Sequence, residues 1–226
     1  MYESTISFTL DTICPWTYLA KKRLDEALRI VRSTDATSKV TFKIHFNPYQ
    51  LYPSASQEGE DKYTWLKKSR YGDSEEKLQM YITLMTAYGT SAGINYKFTG
   101  TIANSLNAHR VIQYFQEKDG PEVADKLVMG LYRRFFEEEK HPSSRETLLE
   151  ACKEAGVEMG EAERVVGDEE EGLREVKARI REQVADGVDS VPVVVIEGKR
   201  RDVTLTGAKE VKDYVKALET IVKESS

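Results

Sequence analysis

Two stretches near the start of the chain alternate between apolar and polar residues, and a helical spacing fills the gap between them. Ile6, Phe8 and Leu10 lie on one side, with Thr5, Ser7 and Thr9 on the other. Val40, Phe42, Ile44 and Phe46 repeat the pattern. Period two marks a half-buried strand. Between the strands, Ala20, Leu24, Ala27, Leu28 and Val31 recur at helical spacing from about Pro15 to Arg32. Pro15 suits a first helical turn, where its missing N–H costs nothing, and Pro48 and Pro53 close the second strand. This opening unit confines the chain to folds that pack helices on a sheet.

The next hundred residues read as helix. Leu78, Tyr81, Ile82 and Met85 form one apolar stripe, Ala108, Val111, Ile112 and Phe115 a second, and Ala124, Leu127, Val128, Leu131 and Phe135 a third. Ser143 with Glu146 has the spacing of a capping box, and that helix stops at Gly156. Leu173, Val176, Ile180 and Val184 mark one more helix, ended by Gly187. The pattern then returns to strand. "VPVVVI" reads as a strand buried on both faces, "DVTLT" at 202–206 as its neighbour, and Val211 to Val222 as a closing helix. The order β-α-β, helical block, α-β-β-α predicts one α/β domain with a helical insertion. The boundaries are 1–52 and 187–226 for the α/β part and 53–160 for the insertion, with helix 161–186 bridging them.

Of the 226 residues, 40% are hydrophobic and 31% charged, with a net charge of −5. That balance argues against a general nucleic-acid binder. The acidic runs Glu137–Glu139 and Asp168–Glu171 read as solvated helix surface. No stretch reaches the ~18 apolar residues of a membrane span, and "MYESTISF" has no signal-peptide pattern. Two cysteines do not make a disulfide framework. The expectation is a cytoplasmic protein with free thiols. No Cys/His spacing suggests a metal, and "GINYKFTG" is not a phosphate loop.

Chemistry concentrates at "DTICPWTY", residues 11–18. Cys14 falls between a strand end and a helix start, where first-turn N–H groups and the helix dipole favour negative charge. That predicts a partly exposed thiolate with a pKa below the free value of ~8.5; a buried structural thiol is the alternative. Thr17, one turn on, can offer a hydroxyl to the sulfur but cannot close a disulfide, so an internal dithiol cycle at this motif is excluded. Pro192 stands just before the later strand. A cis bond after Val191 would turn the Val191 backbone outward to meet a peptide or glutathione.

A strand, a Cys-Pro-Trp-x-Tyr-Leu helix start, a long helical insertion and a Val-Pro strand with a closing β-α resemble the DsbA-like thioredoxin superfamily. The likeness runs from about residue 4 to 223 and is nearest the FrnE-type branch, itself related to 2-hydroxychromene-2-carboxylate isomerase and kappa-class glutathione transferase. "NSLNAHRVI" at 104–112 matches that branch's Asn-x-x-x-Ala-His-Arg-hydrophobic pattern. The resemblance implies a thioredoxin fold with a large all-helical insertion, Cys14 as nucleophile, and Pro192 as a cis-proline facing it. Thr17 departs from the redox members, which carry a resolving cysteine there. The isomerase and transferase branches carry serine where this chain has Cys14, and they use glutathione.

The expected catalytic residues are therefore Cys14 and Thr17. The substrate- or glutathione-binding set is Pro15, Trp16, Val191, Pro192, Asn104, His109, Thr206, Gly207 and Ala208. Asn104 is read either as a helix cap or as a cleft contact, and His109 as structural or as a base. Thr206-Gly207-Ala208 is read as opening the last helix, either to take a carboxylate such as the γ-glutamyl end of glutathione or as a plain turn. Cys152 reads as core. Tyr49, Tyr52, Tyr63, Trp65, Tyr71 and Tyr96, clustered around the start of the insertion, are read either as lining an apolar cleft between the domains or as core and rim residues.

Three functions follow. The first is a monothiol oxidoreductase exchanging disulfides through Cys14 with glutathione. The second is a glutathione-dependent transferase or isomerase on a small aromatic substrate. The third is a catalytically silent binding module. The expected partner is a small thiol or disulfide, or a protein disulfide, with no metal, nucleotide, nucleic acid or membrane, and a homodimer is left open.

Overall fold

The computed structural model describes residues 2–34 and 39–225. Strand β1 (Tyr2–Leu10) runs into helix α1 (Pro15–Arg32) and returns through β2 (Val40–Pro48). Strand β5 (Val193–Ile196), β6 (Val203–Thr206) and helix α9 (Val211–Glu224) close the chain. The sheet order is β2-β1-β5-β6. β1 and β2 are parallel, as a helical crossover requires, whereas β5 is antiparallel to both β1 and β6.

Between β2 and β5 lie α2 (Lys62–Tyr71), α3 (Glu75–Ser91), α4 (Leu106–Asp119), α5 (Pro121–Phe136), α6 (Arg145–Ala155), α7 (Met159–Gly167) and α8 (Leu173–Ala185). Two short strands, β3 (Glu60–Asp61) and β4 (Thr101–Ile102), pair antiparallel against α2. They are too short for any periodicity to reveal.

Side chains of β1 and β2 knit the core. Ile6 and Phe8 are fully buried, and Phe8 meets Phe46 edge-on at 6.0 Å across the parallel pair. Helix α1 packs on α9, while α4, α5 and α8 contact β2. The register sets Thr9 opposite Val193. The chain leaving β1 therefore emerges beside the chain entering β5, and this places the two motifs of interest side by side.

Several expectations are corrected. β5 is not buried on both faces: Val194 and Ile196 are buried, but Val193 and Val195 are half-covered. The cap of α6 is Ser144, which accepts from the Thr147 N–H at 3.2 Å. Ser143 instead donates to the Asn104 carbonyl at 2.8 Å. Neither acidic run is helix surface. Asp168–Glu171 forms the turn between α7 and α8. Glu137 follows α5 and accepts the Tyr18 hydroxyl at 2.6 Å. Among the described residues no helix is long and apolar enough to cross a membrane.

Candidate active site

Cys14 is the N-cap residue of α1, with Pro15 at the first helical position. Its sulfur lies 3.8 Å from the Val191 carbonyl oxygen, the geometry of a weak S–H donor to an acceptor. The Val191–Pro192 bond is cis. The Gly207 N–H donates to the Pro192 carbonyl at 2.9 Å, which joins the turn after β6 to the same spot. Gly207 has φ +79°, a left-handed turn that only glycine adopts without strain. Cys14, Val191, Pro192 and Gly207 are thus brought together from three separate parts of the chain.

The state of the sulfur differs from expectation. Cys14 is only 4% exposed. Burial pushes its thiol up to about 12. The N–H groups of Thr17 and Trp16 do lower it, as a helix start should, and so does the Thr17 side chain, but desolvation outweighs them. The negative charge of Asp11 pushes the same way as burial. At neutral pH Cys14 is a protonated thiol, not the partly exposed thiolate read from position alone. A helix terminus is worth less than loss of water when the sulfur is covered. Against a free thiol near 8.5, the lower thiolate fraction outweighs the greater nucleophilicity of a more basic sulfur. Iodoacetamide should therefore modify Cys14 on the order of a hundredfold more slowly at neutral pH. Mass-resolved alkylation rates check this, and a rate at or above that of a free thiol would contradict it.

Thr17 is fully buried, and its hydroxyl lies 2.7 Å from the Cys14 carbonyl and 2.9 Å from that of Asp11. Its single proton is shared among backbone acceptors before it reaches sulfur. Around this corner the rings pack closely. Trp16 meets Tyr88 edge-on at 5.5 Å, and the Tyr96 hydroxyl donates to the Pro15 carbonyl at 2.6 Å. Tyr52 and Trp65 meet at 4.5 Å, whereas Tyr63 turns away to Glu75 and Gln79.

The remaining expected residues brace the site rather than open onto it. Asn104 is buried, with both ends of its amide engaged. Its Nδ2 donates to the carbonyls of Pro53 at 2.9 Å and Ala55 at 3.3 Å; its Oδ1 accepts from Gln50 and from the Leu106 N–H, both at 2.9 Å. It pins the loop after β2 to α4. His109, also buried, faces Asp11 at 3.3 Å and not a cleft.

Thr206-Gly207-Ala208 does not open the last helix. α9 starts at Val211, capped by Glu210, and the reciprocal Glu210–Asp213 box occupies its first donors. Arg23 reinforces this turn by donating to the carbonyls of Ala208 at 3.4 Å and Lys209 at 3.2 Å, and it pairs with Glu210 at 3.0 Å. Residues 206–208 are thus the end of β6 and the turn after it, and the N-terminus of α9 is capped by carboxylates of this chain. Cys152 is core, fully buried in α6.

Asp11 and Arg110 escaped the sequence reading. Asp11 heads the cysteine motif, but its partners lie far along the chain, with His109 98 positions away. The one available signal was an acid directly after an apolar strand that ends in a buried corner.

A β-α-β unit joined through helices to a β-β-α unit around one mixed sheet is a thioredoxin fold, and here the thiol stands at the start of its first helix. A family model described as a DSBA-like thioredoxin domain matches residues 5–219, and the chain belongs to that family. No curated protein sequence matches it. Among solved structures it is similar to a probable DsbA oxidoreductase from Streptomyces coelicolor, with a TM-score of 0.82 and 24% identity over 98% of this chain and 91% of that one. It is also similar to the cytosolic disulfide reductase DsbM from Pseudomonas aeruginosa with GSH, with a TM-score of 0.65 and 17% identity over 97% and 99%. A 2-hydroxychromene-2-carboxylate isomerase gives a TM-score of 0.61 and 14% identity over 96% and 93%. At these identities the likeness is one of fold.

Proposed function

We propose that this chain performs thiol–disulfide exchange through Cys14, with glutathione as the external thiol. The observation that carries the reading is the Cys14 sulfur at a helix start, 3.8 Å from the Val191 carbonyl, with no second thiol one turn on. The Cys14 thiolate attacks one sulfur of oxidised glutathione. A Cys14–glutathione bond forms, the S–S bond of glutathione breaks, and glutathione thiolate leaves and takes up the proton that Cys14 gave to water. Thr17 cannot attack that mixed disulfide, so a second external thiol must resolve it. The burial of Cys14 makes the first step slow at neutral pH and faster as pH rises towards about 12.

A second reading rests on the same burial. A protonated Cys14 is a hydrogen-bond donor, as serine is at this position in the isomerase and transferase branches that the chain resembles. It would hold glutathione as a bound thiolate for addition to a small aromatic substrate.

One variant separates the two. Incubated with oxidised glutathione, the wild-type protein is expected to carry a glutathione adduct on Cys14 by mass spectrometry, and Cys14→Ser none. Wild-type protein without an adduct sinks the exchange reading. Glutathione-dependent isomerase or transferase turnover that survives in Cys14→Ser would establish the second.

A further inference from the structure

Asp11 is fully buried, and its carboxylate lies between the cysteine loop and the helical block. Its Oδ2 accepts from the Leu51 N–H at 2.7 Å, and its Oδ1 stands 3.3 Å from His109 Nε2 and 3.4 Å from the Ile13 N–H. His109 is itself 1% exposed. The Asp11 backbone holds the same corner: its carbonyl accepts from the Cys14 N–H at 3.0 Å and from the Thr17 hydroxyl. A carboxylate taken this far from water is expensive unless paired, and here the partner is an imidazole whose charge changes with its second ring proton.

We propose that Asp11 and His109 form one positioning pair that governs when the Cys14 sulfur can react: the carboxylate opposes charge on the sulfur, and protonation of the imidazole relieves that opposition. The proposal rests on Cys14 being the reacting sulfur.

The electrostatics near the sulfur fit this division. Asp11 acts on it from the end of β1. The phenols of Tyr52, Tyr81, Tyr96 and Tyr132 lie near enough to couple with it, and burial holds all four protonated and uncharged. Arg70, whose guanidinium sits 5.8 Å from the Tyr52 ring, acts on Tyr52 and Tyr81. The charge that can vary beside Cys14 is then that of the Asp11–His109 pair. With His109 neutral, ionising Cys14 places a second negative charge beside the carboxylate. With His109 protonated, the pair is neutral overall and the sulfur loses its proton more readily.

The test is the rate of Cys14 alkylation by iodoacetamide from acid to mild alkali, alongside the ultraviolet absorbance of the thiolate, with Cys14→Ala as blank. Wild-type log rate is expected to fall less steeply than one decade per pH unit where His109 gains its second proton. His109→Gln should restore the full slope and react severalfold more slowly on the acid side. Asp11→Asn should react faster at every pH, roughly threefold for each pKa unit removed, because the less basic thiolate is also a weaker nucleophile. The opposite signs are what a purely bracing role cannot produce, since loosening the corner would expose the sulfur and accelerate both variants. Acceleration in both, or a straight wild-type profile unchanged by either, overturns the pair. If Asp11→Asn does not fold, His109→Gln alone decides: a slope and rate equal to wild type, or a faster rate, overturns it. Alkylation needs no glutathione. Opposite signs with no glutathione adduct would therefore fault the exchange reading and leave the pair standing.

Discussion

On the proposed exchange reaction, Thr17→Cys is expected to turn a mixed disulfide on Cys14 into a disulfide closed within the motif. Threonine and cysteine are close in volume, and Thr17 lies one turn from Cys14, its hydroxyl 2.7 Å from the Cys14 carbonyl. The lost hydroxyl donor to the Asp11 and Cys14 carbonyls costs about 1 kcal/mol, which a domain of this size tolerates. In the variant the new thiolate attacks the Cys14 sulfur of the glutathione adduct. A disulfide forms within the motif, the bond to glutathione breaks, and glutathione departs as the thiol. Mass spectrometry after oxidised glutathione should then show loss of two hydrogens in place of the adduct. Persistence of the adduct in Thr17→Cys would mean that α1 holds the two positions too far apart or too rigidly for exchange.

The second large effect concerns stability. Arg110 is 1% exposed. Its Nη1 donates to the Val165 carbonyl at 2.8 Å and to that of Glu171 at 3.0 Å, and its Nε donates to Asn107 at 3.2 Å. It thereby ties α4 to the end of α7 and the turn before α8. Burial lowers its pKa, while the charges of Glu169, Asp168 and Glu171 work to keep it protonated. The acidic turn is therefore the counter-charge of a buried cation, which explains why those residues cluster in a turn and not along a helix. Arg110→Met keeps most of the volume but strands the buried Val165 carbonyl and the part-buried Glu171 carbonyl. The cost is about 3 kcal/mol, or a Tm lower by about 6–12 °C in thermal unfolding. A loss below about 1 kcal/mol would show that water or the neighbouring helices satisfy those carbonyls without it.

Asn104, His109 and Arg110 share one short motif, and each points to a different part of the fold: the loop after β2, the end of β1, and the α7–α8 turn. The sequence marks the motif but not its direction. Asn104 precedes α4 and faces the loop before it, while His109 and Arg110, successive residues of α4 about 100° apart, diverge; the three partners lie 51, 98 and 55 positions away. The errors at helix starts have a similar origin. Ser143 has the Glu three positions on and Ser144 does not, yet Ser144 is the cap, because the Ser143 hydroxyl reaches back to the Asn104 carbonyl. Thr206–Ala208 looked like a helix start, but α9 begins further on at Val211, where Glu210 and Asp213 form its cap.

Periodicity alone determined α1, β1 and β2, because a strand or helix that buries one face must repeat its apolar residues at two or 3.6 positions. Periodicity with Pro15 also placed Cys14 at a helix start, and the identity of Thr17 ruled out an internal disulfide at that position, since both depend on residues within one turn. The tertiary structure decided everything that depends on water. The Cys14 position favours a thiolate, yet burial among distant aromatic rings holds it as a thiol near 12. Desolvation is a property of all the neighbours together, and a local stretch of chain does not contain them.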